Sequence, residues 1–240
     1  MIYKHVRNTT FLLDYAGQRF LINPALQEFA TVEAAAEREL SLGELLDVDA
    51  VIVTRLSEKN FDAAARHLLP RGMKVFVPEE GAAREVEGIG FSNVEVLEEH
   101  TQFQFVELYK VPAFSGLPGE HTGRNAGCGV LFFHPVLNSV YVTGESAWND
   151  GMKKIIKTWK PRLIVLNFGF TGRREEGRCS MSNEEIAAVH LSLPRAKIIA
   201  NLPEDAKKYG PGKEELQRYI WEHRMEKTVL FPEEGEEVLL

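Results

Sequence analysis

The first part of the chain alternates apolar and polar residues, a pattern typical of half-exposed strands. Within residues 2–22, the stretch FLLDY-AG-QRFLI places a two-residue turn, Ala16 and Gly17, between two such runs. The chain is therefore predicted to open with antiparallel strands. Further on, residues 50–53 read AVIV, an unbroken apolar run that predicts a strand buried on both faces.

Strands and helices alternate over the rest of the chain. The pattern predicts strands at residues 74–77, 94–97, 103–111, 129–133, 139–143, 163–167 and 197–200, and helices at residues 31–46, 61–69, 79–86, 151–159, 182–191 and 212–223. Asn60 is the predicted N-cap of the second helix, and Ser182 with Glu185 forms a capping box. Residues 116–127 form a long polar loop, which is a candidate functional loop. Since no repeat or linker separates two halves, we expect one domain of two packed sheets with helices outside.

Charge and composition narrow the classes of partner. The net charge is -7, and the sequence has no basic run of the kind that follows a phosphate backbone, which argues against nucleic acid. No apolar stretch is long enough to cross a bilayer, so we expect a cytoplasmic protein without membrane contact. The two cysteines, Cys128 and Cys179, lie far apart and outside any CxxC spacing, which favours buried reduced thiols.

Six segments, taken in order, carry a resemblance to a known fold. They are RNTTFLLDYAGQRFLINP, VDAVIVTRLSEKNFD, VPAFSG, VYVTGESAW, MSNEEIAAVHLSLPRAKIIANL and KEELQRYI. Over nearly the whole chain they resemble the metallo-β-lactamase fold superfamily, most closely its branch of small cytosolic metal-dependent hydrolases, which includes lactonase-like proteins. The resemblance implies an α/β fold, a four-layer αββα sandwich of two mixed β-sheets, in which residues 1–240 form a single domain.

The resemblance also implies where the family's metal ligands would stand. Its HxHxDH motif follows a buried strand, and three later ligands, a His, an Asp and a His, end other strands. In this chain those positions, the rim of a vestigial site, hold Arg55, Ser57, Lys59, Asn60, Ser115, Glu145 and Asn201. Only Glu145 keeps the chemical type of a metal ligand, and its extra methylene extends the carboxylate by about 1.5 Å relative to Asp.

The replaced ligands argue against a metal at this rim. Arg55 and Lys59 carry only hydrogen-bond donors and a positive charge, whereas zinc or iron needs lone pairs. Each cation within about 5 Å of a divalent ion would cost on the order of several kcal/mol, even at an effective dielectric near 20. We therefore expect no cofactor, and we predict that Arg55 or Lys59 pairs with Glu145 in the volume that a metal would occupy. Such a rim also suits a small anionic molecule.

The sequence is compatible with three functions. The first is a non-catalytic binding or regulatory homologue of the metal-dependent hydrolases, that is, a pseudoenzyme. The second is a lactonase-like hydrolase with one displaced zinc, iron or manganese ion around Glu58, His121 and Glu145, or with metal-free chemistry in which Lys59 is the base. If the chain is active, its catalytic candidates are Lys59, Glu145 and His121. The third is a structural subunit of a homo-oligomer, or of a mixed oligomer with an active relative.

Overall fold

In the described part of the chain, two mixed β-sheets of seven strands each lie at the centre of the fold. Their arrangement comes from a computed structural model, which describes residues 1–29, 40–114, 127–169, 180–202 and 212–240. In chain order the strands are β1 (Ile2–Arg7), β2 (Thr10–Tyr15), β3 (Gln18–Ile22), β4 (Ala50–Ile52), β5 (Val75–Val77), β6 (Val94–Val96), β7 (Thr101–Phe103), β8 (Val106–Pro112), β9 (Cys128–His134), β10 (Leu137–Val142), β11 (Leu163–Asn167), β12 (Lys197–Asn201), β13 (Val229–Leu230) and β14 (Glu237–Leu239). The first sheet has the order β14-β1-β2-β3-β4-β5-β6, and the second has the order β13-β12-β11-β10-β9-β8-β7.

The helices cover the outer faces of the two sheets. Within the described ranges they are α1 (Leu42–Leu46), α2 (Ala63–Leu68), α3 (Glu80–Gly88), α4 (Asp150–Trp159), α5 (Asn183–Ser192) and α6 (Lys213–Glu222), with a 3-10 turn at Gln27–Phe29. Apolar residues of α1, α2 and α3 pack on the first sheet, and those of α4, α5 and α6 pack on the second. A third apolar cluster lies between the sheets and takes its side chains from both. The layers are therefore helix, sheet, sheet and helix, as predicted.

Local sequence explains several element boundaries. The β2–β3 hairpin turns at Ala16 and Gly17, whose φ angles of 53° and 78° match the twist of the strands that they join. At the start of α5, the Ser182 side chain accepts a hydrogen bond from the Glu185 amide, and the Glu185 side chain accepts one from the Ser182 amide. The predicted hairpin and the predicted capping box are both confirmed.

Two predictions about local structure need correction, and two others fall mostly outside the described residues. The single strand predicted at residues 103–111 is wrong, because β7 and β8 are two strands joined by a turn at Gln104 and Phe105. That turn contains no Gly, Pro or Asn, and Gln104 adopts the required left-handed conformation with a φ of 52°. Asn60 is not the N-cap of α2, because Asp62 holds that place and accepts from the Ala65 amide at 2.7 Å. Most of the helix predicted at residues 31–46 and of the loop at 116–127 lies outside the described residues.

Parallel pairing brings several strand ends to one rim of the sandwich. Strands β3, β4, β5 and β6 run parallel in the first sheet, and β10, β11, β12 and β13 run parallel in the second. The turns that follow β4 and β10, and the last residues of β11 and β12, therefore lie at the carboxyl ends of parallel strands, where α/β sheets place binding groups. Among the described helices, none has the length and apolar character that a membrane span requires.

Candidate functional site

The turn after β4 contacts the turn after β10 across the gap between the sheets. Arg55 Nη1 donates to Glu145 Oε2 at 2.7 Å, and Asn60 Nδ2 donates to Glu145 Oε1 at 3.2 Å. Asn60 Oδ1 in turn accepts from Thr9 Oγ1 at 3.0 Å. We call these four residues the Glu145 bridge. Both carboxylate oxygens of Glu145 therefore accept from nitrogen donors on the first-sheet side of the gap. Of the two pairings predicted for Glu145, with Arg55 or with Lys59, the structure shows the one with Arg55.

Three hydrogen bonds hold the turn after β4 in place. The Thr54 amide and hydroxyl both donate to Asn23 Oδ1, at 2.8 and 3.0 Å. On the other side, the Cys128 amide donates to the Thr54 carbonyl oxygen at 2.8 Å, which is a direct main-chain link between the two sheets. These bonds leave Arg55 at the mouth of the gap, where 31% of its side chain is exposed, compared with 16% for Glu145.

Close packing fixes the turn after β10. Gly144 has a φ of 65°, and a Cβ atom there would lie 2.2 Å from the Cys128 carbonyl oxygen. Beyond it, Ser146 is fully buried, and its hydroxyl donates to the Thr143 carbonyl oxygen at 2.8 Å and accepts from the Phe114 amide at 3.0 Å. The Ser146 hydroxyl is therefore a structural group. Cys128 is buried, as predicted, and burial raises the pKa of its thiol to about 12.

A second polar connection joins the sheets at the end of β12. Tyr3 donates its hydroxyl to Asn201 Oδ1 at 2.6 Å, and Tyr3 Oη lies 3.1 Å from His5 Nδ1. We call His5, Tyr3 and Asn201 the Asn201 bridge. Burial lowers the pKa of His5 to about 4 and raises the pKa of Tyr3 well above its usual value, so that both side chains are neutral near pH 7.

Asn167 lies between the two bridges in the second sheet. It is the partner of Asn201 in the parallel β11–β12 register, and its Nδ2 atom donates to the Gly144 carbonyl oxygen at 3.4 Å. Asn201 therefore lies at the same level of the rim as the residue that precedes Glu145. The sequence interpretation missed Tyr3 and His5, because on an alternating strand they are indistinguishable from ordinary inward-facing residues.

The other predicted site residues have more varied positions. Lys59 is exposed on the turn after β4, and Ser57 beside it is half-buried with a hydroxyl that has no hydrogen-bond partner in the described ranges. Glu58 points toward α2, where it accepts from the Ala63 amide at 3.2 Å and pairs with Arg66 Nη2 at 3.2 Å. Ser115 and His121 lie outside the described residues.

The described residues of the rim do not fit a divalent metal ion. Both oxygens of Glu145 already accept hydrogen bonds, and its neighbours Arg55 and Asn60 present donors to it rather than lone pairs. In the parts of the chain that the structure describes, no three or more His, Cys, Asp or Glu side chains are grouped so that they could hold a metal ion.

Comparison with known proteins found a relative of similar length. No family model matches the chain. The chain is 37% identical over 246 residues to UPF0173 protein YddR of Bacillus subtilis (strain 168), and the match covers 96% of each protein.

Solved structures with the same fold include metal-dependent hydrolases. An isothiocyanate hydrolase from Delia radicum gut bacteria has a TM-score of 0.88 and 27% identity, with 100% of this chain and 99% of that one covered. Igni18, a metallo hydrolase from Ignicoccus hospitalis, has a TM-score of 0.74 at 16% identity, covering 99% of this chain and 97% of that one. The metallo-beta-lactamase fold protein YhfI from Bacillus subtilis has a TM-score of 0.69 at 8% identity, covering 99% of both.

These likenesses confirm the predicted fold class. The four layers, the two mixed sheets and the neighbours at full coverage together make this a metallo-β-lactamase fold, whose close structural relatives are hydrolases. Because YddR is more than a third identical over almost the whole length of both proteins, the chain belongs to the UPF0173 family.

Proposed function

We propose that this protein is a metal-independent member of its fold that binds a small anion and acts as a binding or regulatory protein. The observation that carries the proposal is the Glu145 bridge, in which Arg55 Nη1 at 2.7 Å and Asn60 Nδ2 at 3.2 Å engage both carboxylate oxygens. An entering cation would have to break both contacts and would then lie beside a guanidinium, which stays charged at any ordinary pH. The bridge therefore does the cross-linking that a metal would otherwise do.

A small anion suits the two positively charged side chains at the mouth. Almost a third of the Arg55 side chain is exposed, so a carboxylate or phosphate group reaches the guanidinium from solvent. Lys59 is exposed on the same turn and adds a second positive charge. Both side chains are donors only, which favours acceptor-rich ligands over cations or amines.

Metal content tests the first half of the proposal. The purified, untagged protein is dialysed against zinc, iron or manganese in turn and then analysed for each element. We expect less than about a tenth of an equivalent, because the donor set has too few lone pairs for a tight site. About one equivalent of any of the three metals would contradict the proposal.

A variant with the ligands restored is the matched control for metal content. It carries Arg55→His, Ser57→His, Lys59→Asp, Asn60→His, Glu145→Asp and Asn201→His, which rebuilds six of the seven ligand types that the resemblance implies and leaves Ser115 unchanged. We expect this variant to retain about one equivalent or more of zinc under the same dialysis. Uptake by the variant alone would mean that the side chains, and not the scaffold, exclude the metal.

Titration with inorganic phosphate and with acetate tests the second half. Isothermal calorimetry on the wild type gives the affinity, and Arg55→Gln is expected to weaken it at least about tenfold through loss of a charge-assisted contact. Arg66→Gln is the matched control, because Arg66 is also a partly exposed arginine but pairs with Glu58 beside α2. Equal weakening by both variants would indicate a nonspecific effect of charge.

The likeness to isothiocyanate hydrolase favours a second candidate, a hydrolase acting on a small electrophile such as an isothiocyanate or a lactone. Consumption of allyl isothiocyanate and of a simple lactone is followed with the wild type and with Glu145→Gln. We expect no consumption above buffer under the first proposal. Turnover that Glu145→Gln abolishes would instead favour the hydrolase.

A further inference from the structure

The donor and acceptor of each hydrogen bond in the Asn201 bridge follow from the number of protons that its groups carry. A tyrosine hydroxyl has one proton, and in Tyr3 that proton is donated to Asn201 Oδ1 at 2.6 Å. The second contact of Tyr3 Oη, at 3.1 Å, is to His5 Nδ1. For that contact to be a hydrogen bond, His5 Nδ1 must carry the proton and Tyr3 must accept it. The neutral His5 ring is then the Nδ1–H tautomer.

Burial keeps this chain of hydrogen bonds neutral and ordered. Tyr3 is fully buried and His5 is 7% exposed, so neither ring is open to exchange partners with bulk water. Protonation of His5 is disfavoured because burial lowers its pKa, while Glu233 and Lys213 nearby act on that pKa in opposite directions. If Tyr3 donates to Asn201 Oδ1, the order near pH 7 therefore runs from His5 to Tyr3 to Asn201.

The direction of these hydrogen bonds decides which atom of the Asn201 amide, Oδ1 or Nδ2, is not bonded to Tyr3. With Oδ1 held by Tyr3, the remaining group is the donor Nδ2. The opposite tautomer of His5 would reverse the chain: Tyr3 would donate to His5 Nδ1, Asn201 would turn Nδ2 toward Tyr3, and the acceptor Oδ1 would be left instead. A donor favours anionic ligands, whereas an acceptor favours cations or amines.

Asn201 lies near the turn that carries Glu145, and 2% of the residue is exposed. It pairs in register with Asn167, which donates to the carbonyl oxygen of Gly144, the residue before Glu145. Neighbouring strands lie about 4.8 Å apart, so Asn201 stands within about two strand spacings of the turn that carries Glu145.

We propose that His5 and Tyr3 are positioning residues that set the ligand selectivity of the rim by holding Asn201 with its amide nitrogen available as a donor. The identity of the ligand as a small anion rests on the proposed function, whereas the orientation of Asn201 does not. The two are tested by separate measurements.

The tautomer of His5 tests the orientation directly. A long-range proton–nitrogen correlation spectrum of the ¹⁵N-labelled protein at pH 7 distinguishes a protonated Nδ1 from a protonated Nε2. We expect the Nδ1–H tautomer in the wild type and loss of this preference in Tyr3→Phe, which lacks the oxygen that accepts from Nδ1. An Nε2–H tautomer in the wild type would overturn the proposal.

Phosphate affinity tests the consequence for binding. We expect Tyr3→Phe and His5→Leu each to weaken phosphate binding about five- to tenfold, the effect of losing one oriented donor. His5→Asn is the rescue variant, because its amide nitrogen can replace Nδ1 as donor to Tyr3, and it should bind within about twofold of the wild type. Tyr109→Phe is the control, since Tyr109 donates to Glu107 on β8.

The outcomes separate the two proposals. Wild-type affinity in folded Tyr3→Phe, or equal loss in His5→Asn and His5→Leu, would overturn the positioning role. If the wild type binds neither phosphate nor acetate, the ligand of the proposed function is wrong, and the tautomer measurement alone decides the orientation of Asn201.

Discussion

The Glu145 bridge and the Asn201 bridge join the same two sheets at the same rim with opposite chemistry. The first is an ion pair, with Arg55 31% exposed and Asn60 as a second donor to the carboxylate. The second is a chain of neutral groups, in which Tyr3 is fully buried and the pKa of His5 is lowered to about 4. Charge is thus retained where solvent and an opposite charge both reach the group, and it is absent where neither does.

The two bridges also differ in the changes that destabilise them. Removing one member of an ion pair leaves an uncompensated charge, whose cost is reduced by partial exposure. Removing one member of a neutral buried chain leaves an unpaired dipole, and acid forces a charge into a site that cannot hydrate it. Four changes, in decreasing order of expected destabilisation, test this difference.

Gly144→Ala should disturb both bridges, because Gly144 precedes Glu145 and its carbonyl oxygen accepts from Asn167. The new Cβ would lie 2.2 Å from the Cys128 carbonyl oxygen at a φ of 65°, so the main chain must move. We expect a loss of about 3–4 kcal/mol in the free energy of unfolding, or roughly 10 °C in Tm. Gly72→Ala, where a Cβ meets nothing within 4 Å, is the control and should change Tm little.

Acid should destabilise the Asn201 bridge through His5. Its pKa is about 4 in the folded protein, against the ordinary value of 6.5, so the unfolded chain binds the proton more tightly. This contribution to stability is fully present above pH 6.5 and is lost as the pH falls to 4, by about 3 kcal/mol in total. Denaturant titrations at several pH values in this range give the free energy of unfolding at each pH. We expect this free energy to fall with decreasing pH, and to fall less steeply in His5→Asn. The same substitution at the exposed His67, which belongs to neither bridge, is the control, and an equal reduction of the steepness there would contradict the assignment.

Glu145→Ala should cost about 2 kcal/mol, because it leaves Arg55 and the Asn60 amide without their carboxylate partner, while partial exposure of Arg55 limits the penalty. The double variant with Arg55→Met removes both charges, so it should lose less than the sum of the two single variants. Thermal unfolding of the four proteins measures this coupling. An unchanged Tm in Glu145→Ala would mean that the ion pair does not cross-link the sheets.

Thr9→Val should have the smallest effect, about 1 kcal/mol. It removes the hydroxyl that donates to Asn60 Oδ1 at the far end of the Glu145 bridge and leaves that buried oxygen unpaired. Chemical denaturation resolves a change of this size through the midpoint at constant slope. If Thr9→Val lowers the free energy of unfolding as much as Glu145→Ala does, then the neutral hydrogen bond and the ion pair of the Glu145 bridge do not differ in their contribution to stability.

The predictability of the fold and of the site differed for physical reasons. Alternation, a two-residue turn at Ala16 and Gly17 and the capping box at Ser182 act over a few residues, so the sequence predicted them. The four layers were implied by the resemblance that six segments of the sequence carry to a known fold. The turn at Gln104 and the N-cap at Asp62 were missed, because the first lacks the usual turn residues and the second competes with Asn60, which has an equally suitable side chain.

The amino-acid sequence shows which groups stand at the rim positions that the resemblance implies: a guanidinium, an ammonium, amides, hydroxyls and one carboxylate. The tertiary structure decided their contacts, since Arg55 and Glu145 are 90 residues apart and Tyr3 and Asn201 are 198 apart. The periodicity of a strand reveals that Tyr3 and His5 face inward, but not what they face. Only the packing of the two sheets, which excludes water from one bridge and admits it to the other, makes one neutral and leaves the other charged.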